Sequence, residues 1–187
     1  MTSDHLPAPR RIAVIGTSGA GKTTLAGQIA AAIGAPHVEL DGLFHQPNWV
    51  PAEPDVFRAA VSTAIAVPSW VTDGNYRNFL RDLIWREADV LVWLDYPLPL
   101  VLWRLFRRTV RRGIKREVLW NGNREPLREN FLSRQSLFLW SKNSHAKHRR
   151  EWPAAFAAPE MAHVRVVRLR SPREADAWLR SLRASAR

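Results

Sequence analysis

The residues best suited to chemistry lie near the start of the chain, where glycines and hydroxyl side chains surround one lysine. Residues 16–23 read GTSGAGKT and fit the pattern G-x-x-x-x-G-K-[ST]. In this pattern the glycines let the backbone wrap a phosphate group, and main-chain amides point inward at the positive end of the following helix. Lys22 would reach the β- and γ-phosphates of a nucleoside triphosphate, and the Thr23 hydroxyl would ligate Mg²⁺. The predicted phosphate-binding residues are Gly16, Ser18, Gly19, Ala20, Gly21, Lys22, Thr23 and Thr24.

The elements on either side of this loop decide between two interpretations of it. A glycine-rich turn that happens to contain a lysine would need no particular neighbours. Here an apolar run of strand length, 12–15, precedes the loop, and a helical pattern follows it to about Ile33, with Gly34 as the stop. The order of strand, loop and helix therefore favours phosphate binding, with ATP as the expected nucleotide.

Strands and helices alternate along the whole chain. Strands are predicted at about 11–15, 37–40, 69–72, 90–94 and 163–169, and helices at about 24–33, 54–67, 78–87, 99–112, 127–151 and from 172. This alternation is typical of an α/β protein with three layers, in which helices cover both faces of a mainly parallel five-stranded sheet. We expect 1–10 to be a flexible arm, 11–187 a single domain, and about 113–150 a helical, arginine-rich lid region.

Three aspartates follow predicted strands, where ligands bind in open α/β sheets. Asp73 and Asp95 each follow an apolar strand and are rivals for orienting Mg²⁺, although either could simply bond a turn. We favour Asp73. Asp41 lies in an aromatic, proline-rich loop, where it would either take the proton of an acceptor hydroxyl or bind its hydroxyl groups, or else serve only as a turn residue.

Aromatic and histidine side chains accompany these acids. Phe44, His45, Trp49 and Tyr76 would either wall a pocket for a planar or sugar-like acceptor or pack in a lid. The sequence shows no His/His/carboxylate spacing for a metal. His145 and His148 are typical of a solvated polar turn of helix.

The net charge of +11 is concentrated in one segment: residues 101–150 contain 14 Lys or Arg against 3 acidic residues, and the rest of the chain contains 14 of each sign. Such a segment serves a polyanionic partner or a triphosphate held by several arginines, or is a solvated helical face. Arg104 and Arg108 share one helix face and would stabilise the charge of a transferring phosphoryl group. Arg124 and Arg128 would close over the nucleotide as part of the lid.

Several classes of protein are disfavoured by what the sequence omits. It has no cysteine, which excludes disulfides and thiolate metal sites. Its most apolar stretch, 90–103, is interrupted by an aspartate and two prolines and does not fit a membrane span. No export signal is visible at the start, so a cytoplasmic location is expected. A GTPase is disfavoured because there is no N-K-x-D motif.

With these motifs placed, the chain resembles the nucleoside monophosphate kinase branch of P-loop proteins. More narrowly, it is similar to the adenylate-kinase-related group known as topology-modulation proteins. The resemblance covers nearly the whole chain apart from the arm, and its matching stretches are IAVIGTSGAGKTTLA, LDGLFHQPNW, WVTDGNYR, ADVLVWLDYP, RLFRR and RLRSPREADAWL.

The resemblance implies roles for individual residues. Asp73 would serve magnesium, Arg77 would contact phosphates at the transfer point, and Arg104 and Arg108 match an arginine pair at the root of the adenylate kinase lid. Asn75 and Tyr76 replace the usual residues ahead of the arginine, and no glutamine follows where one would read the base of AMP. The resemblance therefore supports ATP-dependent phosphoryl transfer more strongly than AMP as the acceptor.

Two functions follow from these observations. The favoured one is a kinase that transfers a phosphoryl group from MgATP to a nucleotide or a small hydroxylated acceptor. The alternative is a nucleic-acid-associated ATPase, in which the basic segment 101–150 grips phosphates and its tryptophans stack on bases. Those tryptophans are Trp103, Trp120, Trp140 and Trp152, for which packing is the favoured role. Binding to nucleic acid would weaken steeply as salt is raised.

Overall fold

The computed structural model describes residues 10–124 and 137–185, which are built on one five-stranded sheet. The strands are β1 (Arg11–Gly16), β2 (His37–Glu39), β3 (Trp70–Asp73), β4 (Val90–Leu94) and β5 (Arg165–Leu169). The helices are α1 (Lys22–Ile33), α2 (Leu40–Phe44), α3 (Pro54–Ala64), α4 (Arg77–Leu80), α5 (Leu98–Lys115), α6 (Leu137–Phe156) and α7 (Pro172–Ser185). A π-helical turn, Arg81–Trp85, continues α4, and 3-10 turns occur at Pro47–Trp49, Trp120–Gly122 and Pro159–Met161.

The strands are all parallel, in the order β2-β3-β1-β4-β5. β1 is therefore the central strand, with Val14 paired to Asp73 on one side and to Val92 on the other. The chain fills one side of β1 before it crosses to the other side. This reversal of direction opens a crevice at the carboxyl end of β1, where Gly16 begins the predicted phosphate loop.

Both faces of the sheet are buried, because successive residues of a strand point to opposite faces. Ile12 and Val14 of β1 face a core formed with α1 and α7, whose buried members include Leu25, Ile29, Leu179 and Leu182. Ala13 and Ile15 face a second core formed with α3, α4 and α6, whose buried members include Phe57, Val61, Leu80 and Trp152. The predicted three-layer α/β architecture with a mainly parallel five-stranded sheet is confirmed.

Helix boundaries differ from the sequence prediction at several points. α5 continues through Gly113, which we expected to end it, and stops where Arg116 takes a left-handed conformation with φ of 49°. α3 ends at Ala64 rather than near residue 67. The described part of the long basic helix runs over Leu137–Phe156 and has Pro153 inside it. Packing against neighbouring helices outweighs single-residue preference at these positions.

The predicted start of the last helix agrees with the structure. Ser171 Oγ accepts a hydrogen bond from the Glu174 amide at 3.2 Å, and the Glu174 carboxylate accepts one from the Arg170 amide at 2.9 Å. Ser171 thus caps the helix as predicted, while Glu174 accepts from the amide of the residue before the cap.

α5 and α6 are the longest helices in the described part of the chain. None of the helices described there is both long and apolar enough to cross a bilayer.

Candidate active site

The loop between β1 and α1 requires glycine at two left-handed positions, Gly19 with φ of 91° and Gly21 with φ of 98°. At Gly19 a Cβ atom would lie 2.5 Å from the carbonyl oxygen of Val101 and 3.0 Å from Leu105 Cβ. The loop therefore packs directly on the backbone of α5. This close approach places the basic helix α5 against the phosphate loop.

The amides at the start of α1 suit an anion. Lys22, Thr23 and Thr24 occupy the first turn, whose amides have no acceptor within the helix and lie at its positive end. The Ala20 amide donates to the Thr17 carbonyl at 3.0 Å, and the residue is 1% exposed. Ala20 also lines the cleft, and its part in phosphate binding stays a prediction.

Three side chains from distant elements hold the loop in shape. Asn75 forms two hydrogen bonds with Gly16: its Nδ2 donates to the carbonyl at 2.7 Å, and its Oδ1 accepts from the amide at 3.1 Å. Arg104 Nη1 donates to the Ala20 carbonyl at 3.1 Å, and Ser141 Oγ donates to the Ser18 carbonyl at 3.2 Å. The sequence analysis missed Asn75 and Ser141 as loop supports, since only the strand order and the packing of α6 bring them to the loop.

The Lys22 ammonium lies among charged groups that the sequence singled out. Burial lowers the pKa of Lys22, Asp41 and Asp73 oppose that shift, and Arg108 adds to it. The structure therefore brings Lys22, both aspartates and Arg108 into one electrostatic environment.

Asp73 lies beside Thr23, as expected for a shared magnesium site. The Thr23 hydroxyl donates to Asp73 Oδ2 at 2.5 Å, and Asp73 is 5% exposed. His37 Nε2 lies 3.1 Å from Asp73 Oδ1, and this hydrogen bond raises the pKa of His37. The hydroxyl and the carboxylate thus form a pair of oxygen donors at the carboxyl ends of β1 and β3.

Asp95, the rival candidate for magnesium, is occupied by two arginines. Its carboxylate is 2% exposed and accepts hydrogen bonds from Arg149 Nε at 2.7 Å and Arg168 Nη2 at 2.6 Å. The Arg168 guanidinium also lies over the Trp93 ring at 4.3 Å. These contacts tie β4, β5 and α6 together, so a structural role fits Asp95.

Replacement of Asp95 by asparagine is expected to lower the free energy of unfolding by about 2–4 kcal/mol, because it removes the charge that two arginines share. Chemical denaturation of purified protein measures this. The matched control is Asp55→Asn, at an exposed position of α3, where a change within about 0.5 kcal/mol is expected. Equal stability of the Asp95 variant and wild type would contradict the structural role.

Asp41 lies in the short helix α2, where the sequence predicted a loop. Tyr76 Oη donates to Asp41 Oδ1 at 2.7 Å. Burial, and then the charge of Asp41, raises the pKa of Tyr76, so the phenol stays protonated and donates. The Tyr76 ring packs against Phe44 at 4.7 Å and Phe57 at 5.0 Å between ring centres. These contacts fix the orientation of the Asp41 carboxylate.

A cleft of about 1700 Å³ joins the phosphate loop to Asp41 and Tyr76. It is lined by all of the predicted catalytic residues, namely Lys22, Asp41, Arg77, Arg104 and Arg108. It is also lined by the predicted pocket residues Phe44, His45, Trp49 and Tyr76, and by Arg107, Arg111 and Arg112 of α5. The cleft therefore runs from the phosphate loop to α2, which carries Asp41, and to the aromatic segment that follows it.

Arg77 and Arg104 line the cleft from two different helices, α4 and α5. Arg77, at the start of α4, lies 3.8 Å from Glu151 of α6 and 6.0 Å from the Trp85 ring centre. The Arg104 guanidinium of α5 lies 5.4 Å from the Tyr96 ring centre. Arg77 is thus held at the cleft by long contacts, whereas Arg104 is also fixed by its hydrogen bond to the Ala20 carbonyl.

The expectation that His145 and His148 form a solvated turn is wrong. His145 is 7% exposed, and its Nε2 lies 2.9 Å from the Tyr96 carbonyl oxygen. The His148 ring stacks on Trp152 at 3.9 Å and lines the cleft. Burial, and then the charge of Lys22, lowers the pKa of His148 to about 3, so its imidazole is neutral at pH 7. The helical pattern of α6 did not reveal that this face covers the cleft.

The four tryptophans of the nucleic-acid alternative have different surroundings. Trp152 is 3% exposed and packs in the core, as expected. Trp103 and Trp140 are 56% and 49% exposed and lie outside the core, although Trp103 stacks on Phe106 with 6.0 Å between ring centres. Trp120 Nε1 donates to Glu39 at 3.1 Å.

Of the two arginines predicted to belong to a lid, the structure describes only Arg124. The Arg124 carbonyl accepts a hydrogen bond from Trp49 Nε1 at 2.9 Å, which places its backbone against the aromatic loop, and the residue is exposed. Arg128 lies outside the described residues. Closure of either over a nucleotide stays a prediction.

Several solved structures of other proteins are similar to this chain in fold. A gluconokinase from Sinorhizobium meliloti 1021 is 22% identical over 96% of each chain, with a TM-score of 0.51. A shikimate kinase from Bacteroides thetaiotaomicron is 15% identical over 95% of this chain and 98% of its own, with a TM-score of 0.58. The chain has the P-loop kinase fold. A shikimate kinase from Acinetobacter baumannii in complex with shikimate is 15% identical over 92% of this chain and 90% of its own, with a TM-score of 0.54.

No family model and no curated protein matches the sequence. The predicted P-loop fold is confirmed by these structures, whereas the narrower likeness to adenylate-kinase-related topology-modulation proteins stays a prediction. As expected for an open parallel α/β sheet, the cleft of this chain lies at the carboxyl end of the central strand.

Proposed function

We propose that this P-loop protein is a kinase that transfers a phosphoryl group from ATP to a hydroxyl group of a small acceptor. The observation that carries the proposal is that one cleft holds both the phosphate-loop lysine, Lys22, and a carboxylate, Asp41, fixed by Tyr76. A phosphate-binding loop alone would fit any ATPase. The aromatic loop that carries Asp41 adds a walled space for a second molecule.

The nucleotide side of the cleft accounts for much of the basic charge. Five arginines of α5 line the cleft, and the burial of Lys22 beside Arg108 concentrates positive charge where a triphosphate would lie. Guanidinium groups match phosphate oxygens by paired hydrogen bonds. Beyond them, Pro172 of α7 lines the cleft and offers an apolar surface for the base of the nucleotide. A triphosphate therefore explains this part of the basic segment without a nucleic acid.

Magnesium fits the oxygen donors beside the loop. The Thr23 hydroxyl and the Asp73 carboxylate are hard oxygen groups of the kind that Mg²⁺ prefers. Among residues 10–124 and 137–185, no group of three histidines or acids is arranged to hold a metal unaided, so phosphate oxygens would complete the coordination. When bound, Mg²⁺ would neutralise charge on the β- and γ-phosphates.

The acceptor side suits a compact hydroxylated molecule. One oxygen of Asp41 is taken by Tyr76, which leaves Oδ2 to accept a hydrogen bond from an acceptor hydroxyl. Phe44 and Tyr76 provide apolar faces for such a molecule. The similar structures include a gluconokinase and a shikimate kinase, whose names denote small hydroxylated acids.

In the proposed phosphoryl transfer, different residues of the cleft take the proton and stabilise the negative charge. The acceptor hydroxyl oxygen attacks the γ-phosphorus, and the bond from that phosphorus to the β–γ bridging oxygen breaks. ADP leaves with this oxygen and its electron pair, and the hydroxyl proton passes to Asp41. Lys22, Arg77 and Arg108 stabilise the charge that spreads over the transferring oxygens. His148 stays neutral and adds no further positive charge.

A screen for ADP release tests the proposal. Gluconate, shikimate and AMP are each incubated with the protein and MgATP, and ADP is measured against a reaction without acceptor. We expect a hydroxylated acid to raise ADP release at least about tenfold over water as acceptor. Stimulation by AMP instead would support the adenylate-kinase-like form of the proposal. If none of a broadened set of nucleoside monophosphates, nucleosides and hydroxylated metabolites stimulates ADP release, the kinase proposal fails.

A further inference from the structure

A short segment after α5 is attached to the loop that carries Asp41. We call residues 118–124 the strap and residues 41–50 the acceptor loop. The strap is a narrow hairpin: the Leu119 amide donates to the Asn123 carbonyl at 2.7 Å, and Val118 bridges to Arg124. Its tip is left-handed at Asn121 and Gly122, with φ of 54° and 78°. Asparagine and glycine are the residues that such a turn favours.

Two strap asparagines bind the backbone of the acceptor loop. Asn121 Nδ2 donates to the His45 carbonyl at 2.6 Å and to the Gly42 carbonyl at 3.3 Å. Asn123, which is 4% exposed, donates from Nδ2 to the Gln46 carbonyl at 2.9 Å. These bonds span more than 70 residues of sequence, so they join two segments that the chain does not otherwise connect.

Trp49 is held by the strap through both its backbone and its side chain. Its amide donates to Asn123 Oδ1 at 2.9 Å, and its Nε1 donates to the Arg124 carbonyl at 2.9 Å. Trp49 and Asn48 both have φ of 60°. A left-handed backbone is costly for a bulky aromatic residue and persists only where other contacts compensate. The strap supplies those contacts.

Trp120 covers the backbone next to Asp41. A Cβ atom at Gly42 would lie 2.7 Å from Trp120 Cδ1, so the indole rests directly on this glycine. Its Nε1 donates to Glu39 at 3.1 Å, and the ring lines the cleft. The strap thus contributes one wall of the cleft against Gly42, the residue that follows Asp41.

We propose that the strap is a positioning element of the acceptor site, in which Asn121 and Asn123 fix the acceptor loop and Trp120 limits the space beside Asp41. This inference rests on the proposed function, because it assigns the loop to acceptor binding. In the proposed function MgATP binds at the phosphate loop and α5. Among residues 10–124 and 137–185, the strap side chains form hydrogen bonds with other elements and not with these two. The strap should therefore affect use of the acceptor and leave use of ATP unchanged.

Hydrogen–deuterium exchange of the free protein tests the attachment without any acceptor. In Asn123→Ala we expect the Trp49 amide to exchange at least about tenfold faster, because its hydrogen-bond acceptor is gone. Asn121→Gly is the second variant, since glycine keeps the left-handed turn while the side-chain bonds to His45 and Gly42 are lost. Val118→Ala, at an exposed position of the same strap, is the matched control. Unchanged exchange over residues 41–50 in both asparagine variants would overturn the proposal.

Steady-state kinetics with the best acceptor of gluconate, shikimate and AMP tests the role in catalysis. In Asn121→Gly and Asn123→Ala we expect the KM for that acceptor to rise about tenfold or more, with the KM for MgATP within about twofold of wild type. Equal changes in both constants would show a general structural defect and overturn the positioning role, as would no change in either. If no acceptor is phosphorylated, the proposed function fails, while the exchange result still decides whether the strap holds the loop.

Discussion

Alanine at position 22 is expected to reduce phosphoryl transfer by about 10³-fold while leaving the protein folded. In the proposed function the Lys22 ammonium contacts the β- and γ-phosphates, and it lies in the electrostatic environment of Asp41, Asp73 and Arg108. A positioned cation in a site that excludes water stabilises transition-state charge by several kcal/mol. The measurement is ADP release with MgATP and the best acceptor from the screen.

The same substitution is expected to leave thermal stability unchanged or slightly higher. Burial lowers the pKa of Lys22, which means that the empty site disfavours its charged form. Alanine removes this cost and suits the first turn of a helix. Lys142→Ala, at an exposed position of α6 that does not line the cleft, is the control for loss of a lysine. Full activity in Lys22→Ala would refute the assignment of the phosphate loop.

Asparagine at position 41 is expected to lower kcat for the acceptor by about 10²- to 10⁴-fold, because an amide cannot take the hydroxyl proton. The amide is nearly the same size as the carboxylate, and its oxygen still accepts the hydrogen bond from Tyr76. The pocket should therefore keep its shape. Binding of MgATP, measured by calorimetry, is expected to stay within about twofold of wild type.

Tyr76→Phe is the companion variant for Asp41. It keeps the ring that packs against Phe44 and Phe57 but removes the hydroxyl that orients the carboxylate. We expect a smaller loss of kcat than in Asp41→Asn, because the base is present but less well oriented. An unchanged kcat and acceptor KM in Asp41→Asn would remove this residue from the site.

Local sequence patterns were sufficient to predict the strand, loop and helix of the proposed phosphate site. The order of apolar strand, G-x-x-x-x-G-K-[ST] loop and helix depends on neighbouring residues, so it predicted the loop between β1 and α1 directly. The apolar run of β4 and the serine–glutamate cap of α7 were read correctly for the same reason. In contrast, the amide of Ala20 turns back to Thr17, a detail of a tight turn that the pattern does not contain.

The surroundings of the two candidate magnesium ligands depend on residues far from them in the sequence. Asp73 and Asp95 both follow apolar strands and are indistinguishable by local sequence. In the structure Asp73 accepts from Thr23, whereas Asp95 is enclosed by Arg149 and Arg168. These arginines lie more than 50 residues away, and no spacing rule connects them to a strand-end aspartate.

By itself, the sequence determined the alternating strands and helices, the phosphate loop, and the concentration of positive charge in one segment. Each of these is a local property, set by side-chain periodicity, glycine content or composition. Only the tertiary structure decided that Asn75 clamps Gly16, that α6 brings His148 into the cleft, and that the strap holds the loop of Asp41. The physical reason is that these contacts join segments far apart in the sequence. The order of the strands and the packing of the helices bring those segments together, and no short stretch of sequence specifies either.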